Sequence, residues 1–269
     1  MPTPLAAGDV VLVTGASAGI GEALARQLAA RGCRLALAAR TPADLDAVAQ
    51  ACRALGGEAL AVPTDVADEA ACRAFVAAAV DRYGRIDALV NNAGISMWAR
   101  VDELESLDGL RRIMAVNYFG AVACTHAALP YLTSARGRIV NVASLTGKTG
   151  VPTRSGYAAS KHAMAGFFDS LRIELAGTGV TVTTAFPGFV ATGVRRHAVG
   201  PDGKPLGESP VQEDRVMTPE TCARLILDAA DKRKREVVMT ARGKAGVWLK
   251  LVAPGLVDRL AARAIATGR

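Results

Sequence analysis

Short apolar runs alternate with stretches of helical periodicity along most of the chain, and this alternation limits the fold more than any other feature. The runs fall at 10–13, 34–39, 59–62, 88–90, 138–142, 180–184 and 236–239. Helical patterns fall at 20–31, 43–55, 69–83 and about 110–132. Strands that alternate with helices pair in parallel and cross over with the right hand. The apolar fraction is 51% but aromatics are only 4%, so Ala, Val, Leu and Ile fill the core, as buried parallel strands require. The expected fold class is α/β, a single doubly wound parallel sheet (Rossmann-like) of about seven strands with helices on both faces.

No repeat, low-complexity tract or Pro/Ser-rich linker interrupts the chain before Phe189, so its 269 residues are read as one domain. Its core covers about 9–188 and 218–240, a long Gly- and Pro-rich irregular stretch about 189–217, and a basic amphipathic tail 241–269.

Where the first strand turns into the first helix stands Thr14-Gly15-Ala16-Ser17-Ala18-Gly19-Ile20-Gly21. A turn without side chains lets the backbone approach a pyrophosphate, and the helix N-terminus stabilises the charge. The spacing is G-x-x-x-G-x-G. A glycine turn alone is weak evidence, but its place after the first strand points to a dinucleotide. The second strand ends in Ala39, Arg40 and Thr41. An acid there would bond a ribose 2′-hydroxyl and repel a 2′-phosphate; here a guanidinium stands ready for a phosphate instead. NADP(H) is therefore expected over NAD(H), although a solvated surface arginine has the same sequence signature.

Tyr157 and Lys161 lie one helical turn apart, thirteen and seventeen residues after Ser144. A tyrosine can protonate a carbonyl oxygen, and a nearby cation favours its phenolate. Surface Tyr–Lys pairs at this spacing are common in any helix, so spacing alone leaves the matter open.

The motifs together resemble those of the short-chain dehydrogenase/reductase family over about 9–239. They are the glycine turn, Asn91-Asn92-Ala93-Gly94, Asn117, Ser144, Tyr157-Ala158-Ala159-Ser160-Lys161, and Pro187-Gly188 followed by Thr192. The resemblance implies an NADPH-dependent oxidoreductase that interconverts a carbonyl and an alcohol. Tyr157 is then the general acid in reduction. Lys161 lowers its pKa and binds the nicotinamide ribose, Ser144 orients the carbonyl, and Asn117 holds a relay water. The implied cofactor residues are Gly15, Ser17, Ala18, Gly19, Ile20, Gly21, Arg40, Thr41, Asp65, Val66, Asn91, Ala93, Gly94, Tyr157, Lys161, Pro187, Gly188, Val190 and Thr192. Ala18 departs from relatives that carry a basic residue there, which leaves the NADPH preference mainly to Arg40. A 3-oxoacyl thioester reductase and a steroid or lipid dehydrogenase are alternative activities. A non-catalytic NADP-binding regulator is the rival of another class, and an intact Ser144, Tyr157, Lys161 and Asn117 set argues against it. The family usually forms homodimers or homotetramers through the helices that carry Asn117 and Tyr157.

Met97, Trp98, Leu145, Val151, Phe186 and Phe189 bracket the reacting residues and are expected to wall an apolar substrate pocket, which suits a hydrophobic ketone or alcohol. The resemblance implies a substrate lid over about 189–217, which holds Gly193, Gly200, Pro201, Gly203, Pro205, Gly207 and Pro210; its Arg195, Arg196 and His197 are read first as solvated charges. Net charge is +7, and ten Lys and Arg against two acids from Lys232 onward account for the excess. The run Lys232-Arg233-Lys234-Arg235 complements a helix dipole rather than nucleic acid. Tail residues Val247, Trp248, Leu251, Val252, Leu256, Val257, Leu260 and Ile265 recur at near-helical spacing among cations. Packing on the body or a partner subunit is the first reading, and contact with an anionic membrane surface the second. The N-terminus lacks the pattern of a signal peptide, and a cytoplasmic location is expected. Cys33, Cys52, Cys72, Cys124 and Cys222 have no C-x-x-C pairing, and no metal site is expected.

Overall fold

The computed structural model describes residues 3–195, 197–208 and 216–266. Its centre is one parallel sheet in the order β3-β2-β1-β4-β5-β6-β7. The strands are β1 Val10–Thr14, β2 Arg34–Ala39, β3 Glu58–Pro63, β4 Ala88–Asn91, β5 Arg138–Val142, β6 Thr181–Phe186 and β7 Glu236–Val238. The parallel order follows from the sequence: every connection between strands has room for a helix, and apolar side chains cover both strand faces. The sixth strand begins one residue later than its apolar run and continues to Phe186.

Two apolar layers sandwich the sheet. On one face pack α1 (Gly19–Ala29), α2 (Pro42–Ala54) and α7 (Pro219–Asp231), with Leu24, Leu28, Leu45 and Ile226 fully buried. On the other pack α3 (Glu69–Tyr83), α5 (Gly120–Ser134) and α6 (Ser155–Glu174), around Phe75, Ile86 and Phe168. Local chemistry sets the helix ends. The Asp68 carboxylate accepts from Ala70 N at the start of α3, and Gly84 at φ +75° ends it. All five cysteines are buried and free.

The helical stretch expected over 110–132 is α4 (Asp108–Met114), a π turn at Ala115–Phe119, and α5. It is long and apolar enough to cross a membrane by length and composition. Here Val116, Ala121, Cys124, Ala128 and Leu132 are buried against the sheet, as in a core helix.

Beyond β7 the tail forms α8 (Ala241–Val252) and α9 (Pro254–Ala266), separated at Ala253. Its inner side packs on the body. Leu145 lies against Gly243, the Lys250 ammonium donates to Lys148 O at 2.9 Å, and Val257 is buried. Trp248, Leu251 and Val252 are 73, 72 and 81% exposed on its outer side. In the basic run before β7, the Arg233 guanidinium donates to Gly179 O and Arg136 O, which ties α7's end to neighbouring loops.

Candidate active site

The strand order reverses between β1 and β4, and the crevice at their C-terminal ends is where open α/β sheets bind ligands. A cleft of about 360 Å³ lies there. Its floor is knit by Thr14, the last residue of β1. The Thr14 hydroxyl donates to Val90 O at 3.3 Å and accepts from Asn92 N and Ala93 N at 3.0 and 3.1 Å. The Asn92 amide donates to Thr14 O and Gly15 O, both at 3.0 Å.

At one end of the cleft the glycine turn meets α1. Gly15 has φ +64° and sits so close that a Cβ would lie 2.8 Å from Ala93 Cα. Gly19 has φ +57° and faces the Thr192 methyl. The N-cap residue Ala18 makes no side-chain cap, so the first N–H groups of α1 are left for another acceptor. Gly15, Ser17, Ala18, Gly19 and Ile20 line the cleft, as do Arg40, Thr41, Asp65, Val66, Ala93, Gly94, Tyr157, Lys161, Pro187, Gly188, Val190 and Thr192. A bare turn, an uncapped helix start and a long cleft fit a dinucleotide.

Two expected cofactor residues lie elsewhere. Asn91 ends β4 with its side chain on the α5 face. It is buried and donates to Thr125 Oγ1 and Asn141 Oδ1 at 2.9 and 3.0 Å. Strand alternation brings the next residue, Asn92, to the cleft instead. Gly21 does not line the cleft either; a Cβ there would be 2.0 Å from Gly15 O, so its role is close packing of helix on turn.

At the other end the reacting residues converge. Tyr157 and Lys161 lie on one face of α6, and Ser144 caps the short 3-10 turn after β5, where its hydroxyl accepts from Thr146 N. Ser144 and Tyr157 both line this end of the cleft. Lys161 is buried beneath them, and its ammonium donates to Val142 O at 2.8 Å. Desolvation lowers its pKa to about 8. Desolvation also raises the Tyr157 pKa, against the opposing pull of Arg154 and of the Ser144 hydrogen bond. Burial is the largest influence on this tyrosine, and Arg154 is the first of those that oppose it.

Asn117 lies in the π turn, fully buried. Its Oδ1 accepts from Ile95 N at 2.8 Å, and its Nδ2 donates to Ile95 O and to Ser160 Oγ, each at 2.9 Å. The side chain is thus spent on holding residue 95 and α6 in register. A Cβ on Gly94 would lie 3.3 Å from Asn117 Oδ1 and 3.5 Å from Lys161 Nζ, which places asparagine and lysine side by side.

Of the six expected pocket residues only Phe189 lines the cleft. Phe186 faces inward from β6, fully buried, with the Lys148 ammonium over its ring at 4.3 Å. Met97 is fully buried in a small cluster with Ile113 and Val199, against which Tyr157 packs. Trp98 lies one step back, stacked on Arg154. Leu145 is wedged between Gly188 and Gly243, and Val151 does not reach the cleft. Ile95, Ser96, Arg154, Val194 and His197 complete the wall. Arg154 gave no sequence signal beyond its place one turn before Tyr157.

The segment expected as a lid is pinned across this end. Trp98 N donates to Val199 O, Val199 N to Ser96 O, and Ala191 N to Met217 O. Arg196, Pro210 and the Arg195 side chain lie outside the described residues.

Comparison with known proteins places this geometry. Residues 9–200 match the family model for short chain dehydrogenases. The chain is 37% identical over 258 residues to "11-beta-hydroxysteroid dehydrogenase A" of Sesamum indicum, covering 94% of this chain and 74% of that one. It is 38% identical over 262 residues to "Dehydrogenase/reductase SDR family member 7B" of Bos taurus, covering 94% and 80%. Among solved structures, a short-chain dehydrogenase/reductase from Burkholderia phymatum in complex with NAD superposes with a TM-score of 0.81 at 27% identity, over 94% of this chain and 96% of the other. An alcohol dehydrogenase from Thermococcus sibiricus complexed with 5-hydroxy-NADP gives 0.76 at 28%, over 86% and 95%. A family model matched across most of the chain, with relatives of this identity and coverage, makes the protein an oxidoreductase of the short-chain dehydrogenase/reductase family.

Proposed function

We propose that the protein is an NADPH-dependent carbonyl reductase, working reversibly on a hydrophobic ketone or alcohol. One observation carries this reading: Ser144, Tyr157 and Lys161 stand together in the wall of the cleft whose far end is the glycine turn. When bound, the dinucleotide supplies hydride from C4 of its nicotinamide. Ser144 and Tyr157 hold the substrate oxygen between their hydroxyls, and the Tyr157 Oη–H donates its proton there as negative charge develops. A high tyrosine pKa suits a group that must be protonated before reduction. Lys161 orients the ribose, and its loss of charge above about pH 8 sets a limit on that role. Asn117 fixes the relay behind it by holding residue 95 and Ser160.

Support for NADP(H) over NAD(H) comes from Arg40 and Thr41, which line the cleft edge directly after β2 where no carboxylate stands. A steroid or other lipid alcohol is the favoured substrate class within this reading, because curated relatives bear hydroxysteroid dehydrogenase names and Phe189, Ile95 and Val194 face the cleft. The test is NADPH oxidation, followed by absorbance, against ketones, aldehydes, steroids and 3-oxoacyl thioesters, with Tyr157→Phe as control. Turnover of an apolar ketone that is lost in the control supports the reading. Turnover of 3-oxoacyl thioesters alone, or NADPH binding without turnover of any class, would replace it.

For assembly we propose a homodimer or homotetramer through α5, α6 and the π turn between α4 and α5. Phe119 is 60% and Ile173 74% exposed there, and the Phe119 ring packs on Tyr118, which in turn meets Phe167 of α6. For location we propose a cytoplasmic protein in peripheral contact with anionic membrane. The exposed apolar row of α8 and α9 is interspersed with Arg242, Lys244, Lys250, Arg259 and Arg263 against Asp258, a charge balance that suits acidic headgroups.

A further inference from the structure

Arg154 is 6% exposed, an uncommon burial for a guanidinium, and it lies in the wall of the reacting end. Its carbon Cζ stands 4.9 Å from the Trp98 ring centroid, 5.2 Å from that of Tyr157 and 5.6 Å from that of Phe189. These three rings come from three separate segments. The guanidinium also donates to Ser96 Oγ at 2.8 Å and to Met97 O at 3.4 Å. Lys161 is farther from the same tyrosine ring, at 5.8 Å, and is turned to Val142 O. The chain strains to present this arginine: Thr153, directly before it, has φ +65°, where a β-branched residue is rarely found.

We propose that Arg154 is a positioning residue for Tyr157, the cation that favours its phenolate and fixes its ring against Trp98 and Phe189, a role the sequence would assign to Lys161 alone. The inference rests on Tyr157 as the acid–base group. A guanidinium suits the task better than an ammonium because it keeps its charge when buried and stacks flat on aromatic faces. Of the groups around Tyr157, Lys161 and Arg154 come from α6 and its cap, and His197 from the segment after β6. The β5 end, the 95–99 segment and the π turn offer Ser144, Ser96 and Asn117, none of them charged. Among the described residues the only carboxylate in the cleft wall is Asp65, at the adenosine end.

Titration of tyrosinate by its ultraviolet absorbance, with the Tyr157→Phe spectrum subtracted, reads this tyrosine directly in the full chain and needs no substrate. Arg154→Gln and Arg154→Met should move the Tyr157 transition to higher pH. At the pH where the wild-type residue is half ionised, its ionised fraction should fall about fivefold, the drop that follows from a tenfold change in ionisation constant. Arg154→Lys should shift the transition upward as well, because a buried ammonium gives up its proton before so raised a tyrosine ionises. The two neutral variants guard against one failing to fold. If a folded neutral variant titrates with the wild type, the inference is overturned. Turnover that survives Tyr157→Phe would instead overturn the catalytic reading while leaving this titration interpretable.

Discussion

Gly21→Ala is the perturbation whose cost follows most directly from the structure. The added Cβ would sit 2.0 Å from Gly15 O and 2.5 Å from Asn92 Nδ2, so one of the two walls must retreat by more than about 1 Å to reach ordinary contact. Gly15 has no room to retreat, because its own Cα stands against Ala93. The start of α1 must move, and the Asn92 bond to Gly15 O is lost. Overpacking of this kind costs about 1–3 kcal/mol and a lost hydrogen bond about 1 kcal/mol more. At roughly 2–4 °C per kcal/mol for a domain of this size, Tm should fall by about 5–15 °C. The displaced helix start should also cost NADPH at least about tenfold in affinity, since the same N–H groups are proposed to bind the pyrophosphate. Calorimetry and NADPH fluorescence titration read the two effects. Gly166→Ala is the internal control, because a Cβ there meets nothing within 4 Å in α6. It should stabilise by about 0.5–1 kcal/mol through helix propensity. A Gly21→Ala protein with wild-type Tm and NADPH affinity would refute the packing account of the turn.

Arg40→Asp should reverse the kcat/KM preference between NADPH and NADH, with the NADPH value falling about a hundredfold or more; unchanged preference would refute the 2′-phosphate role. Lys161 has a folded pKa of about 8 against about 10.4 unfolded, so the unfolded chain binds the extra proton between those values. Its contribution to stability therefore rises with pH across that window, by about 2 kcal/mol from pH 7 to pH 9.5. Urea unfolding of wild type and Lys161→Met at both pH values should show that difference, and a pH-independent gap would contradict it. Trp248→Asp with Leu251→Asp should abolish co-sedimentation with phosphatidylglycerol vesicles while leaving NADPH turnover intact; equal sedimentation of the variant would remove the membrane proposal. Phe119→Asp with Ile173→Asp should yield monomers by light scattering if α5 and α6 form the subunit contact, and an unchanged assembly would exclude that face.

The fold was legible because its signal is periodic. Apolar runs spaced by helical patterns locate all seven strands, and the glycine turn marks where β1 enters α1. The reacting set was legible because Tyr157 and Lys161 share one helix and Ser144 ends one strand, so local geometry brings them together. What escaped depends on side-chain direction across elements. Asn91 and Asn92 are adjacent in sequence, yet strand alternation sends the first under the sheet and the second to the cleft. Phe186 and Phe189 straddle the end of β6, and only the one past the strand reaches the cleft. Arg154 was invisible because two of its three aromatic partners, Trp98 and Phe189, lie 56 and 35 residues away in sequence, which no local pattern connects. The net direction of the Tyr157 pKa was likewise unreadable, since it depends on how deeply the cleft desolvates the phenol.

The central claim is tested most directly by reducing the best apolar ketone from the substrate panel with NADPH deuterated at nicotinamide C4, using wild type and Tyr157→Phe. The account predicts one deuterium on the carbinol carbon of the alcohol with the wild type, and a rate lowered by about a hundredfold or more in the variant. Alcohol that carries no deuterium from either face of the labelled cofactor, or a Tyr157→Phe rate equal to wild type, would contradict it.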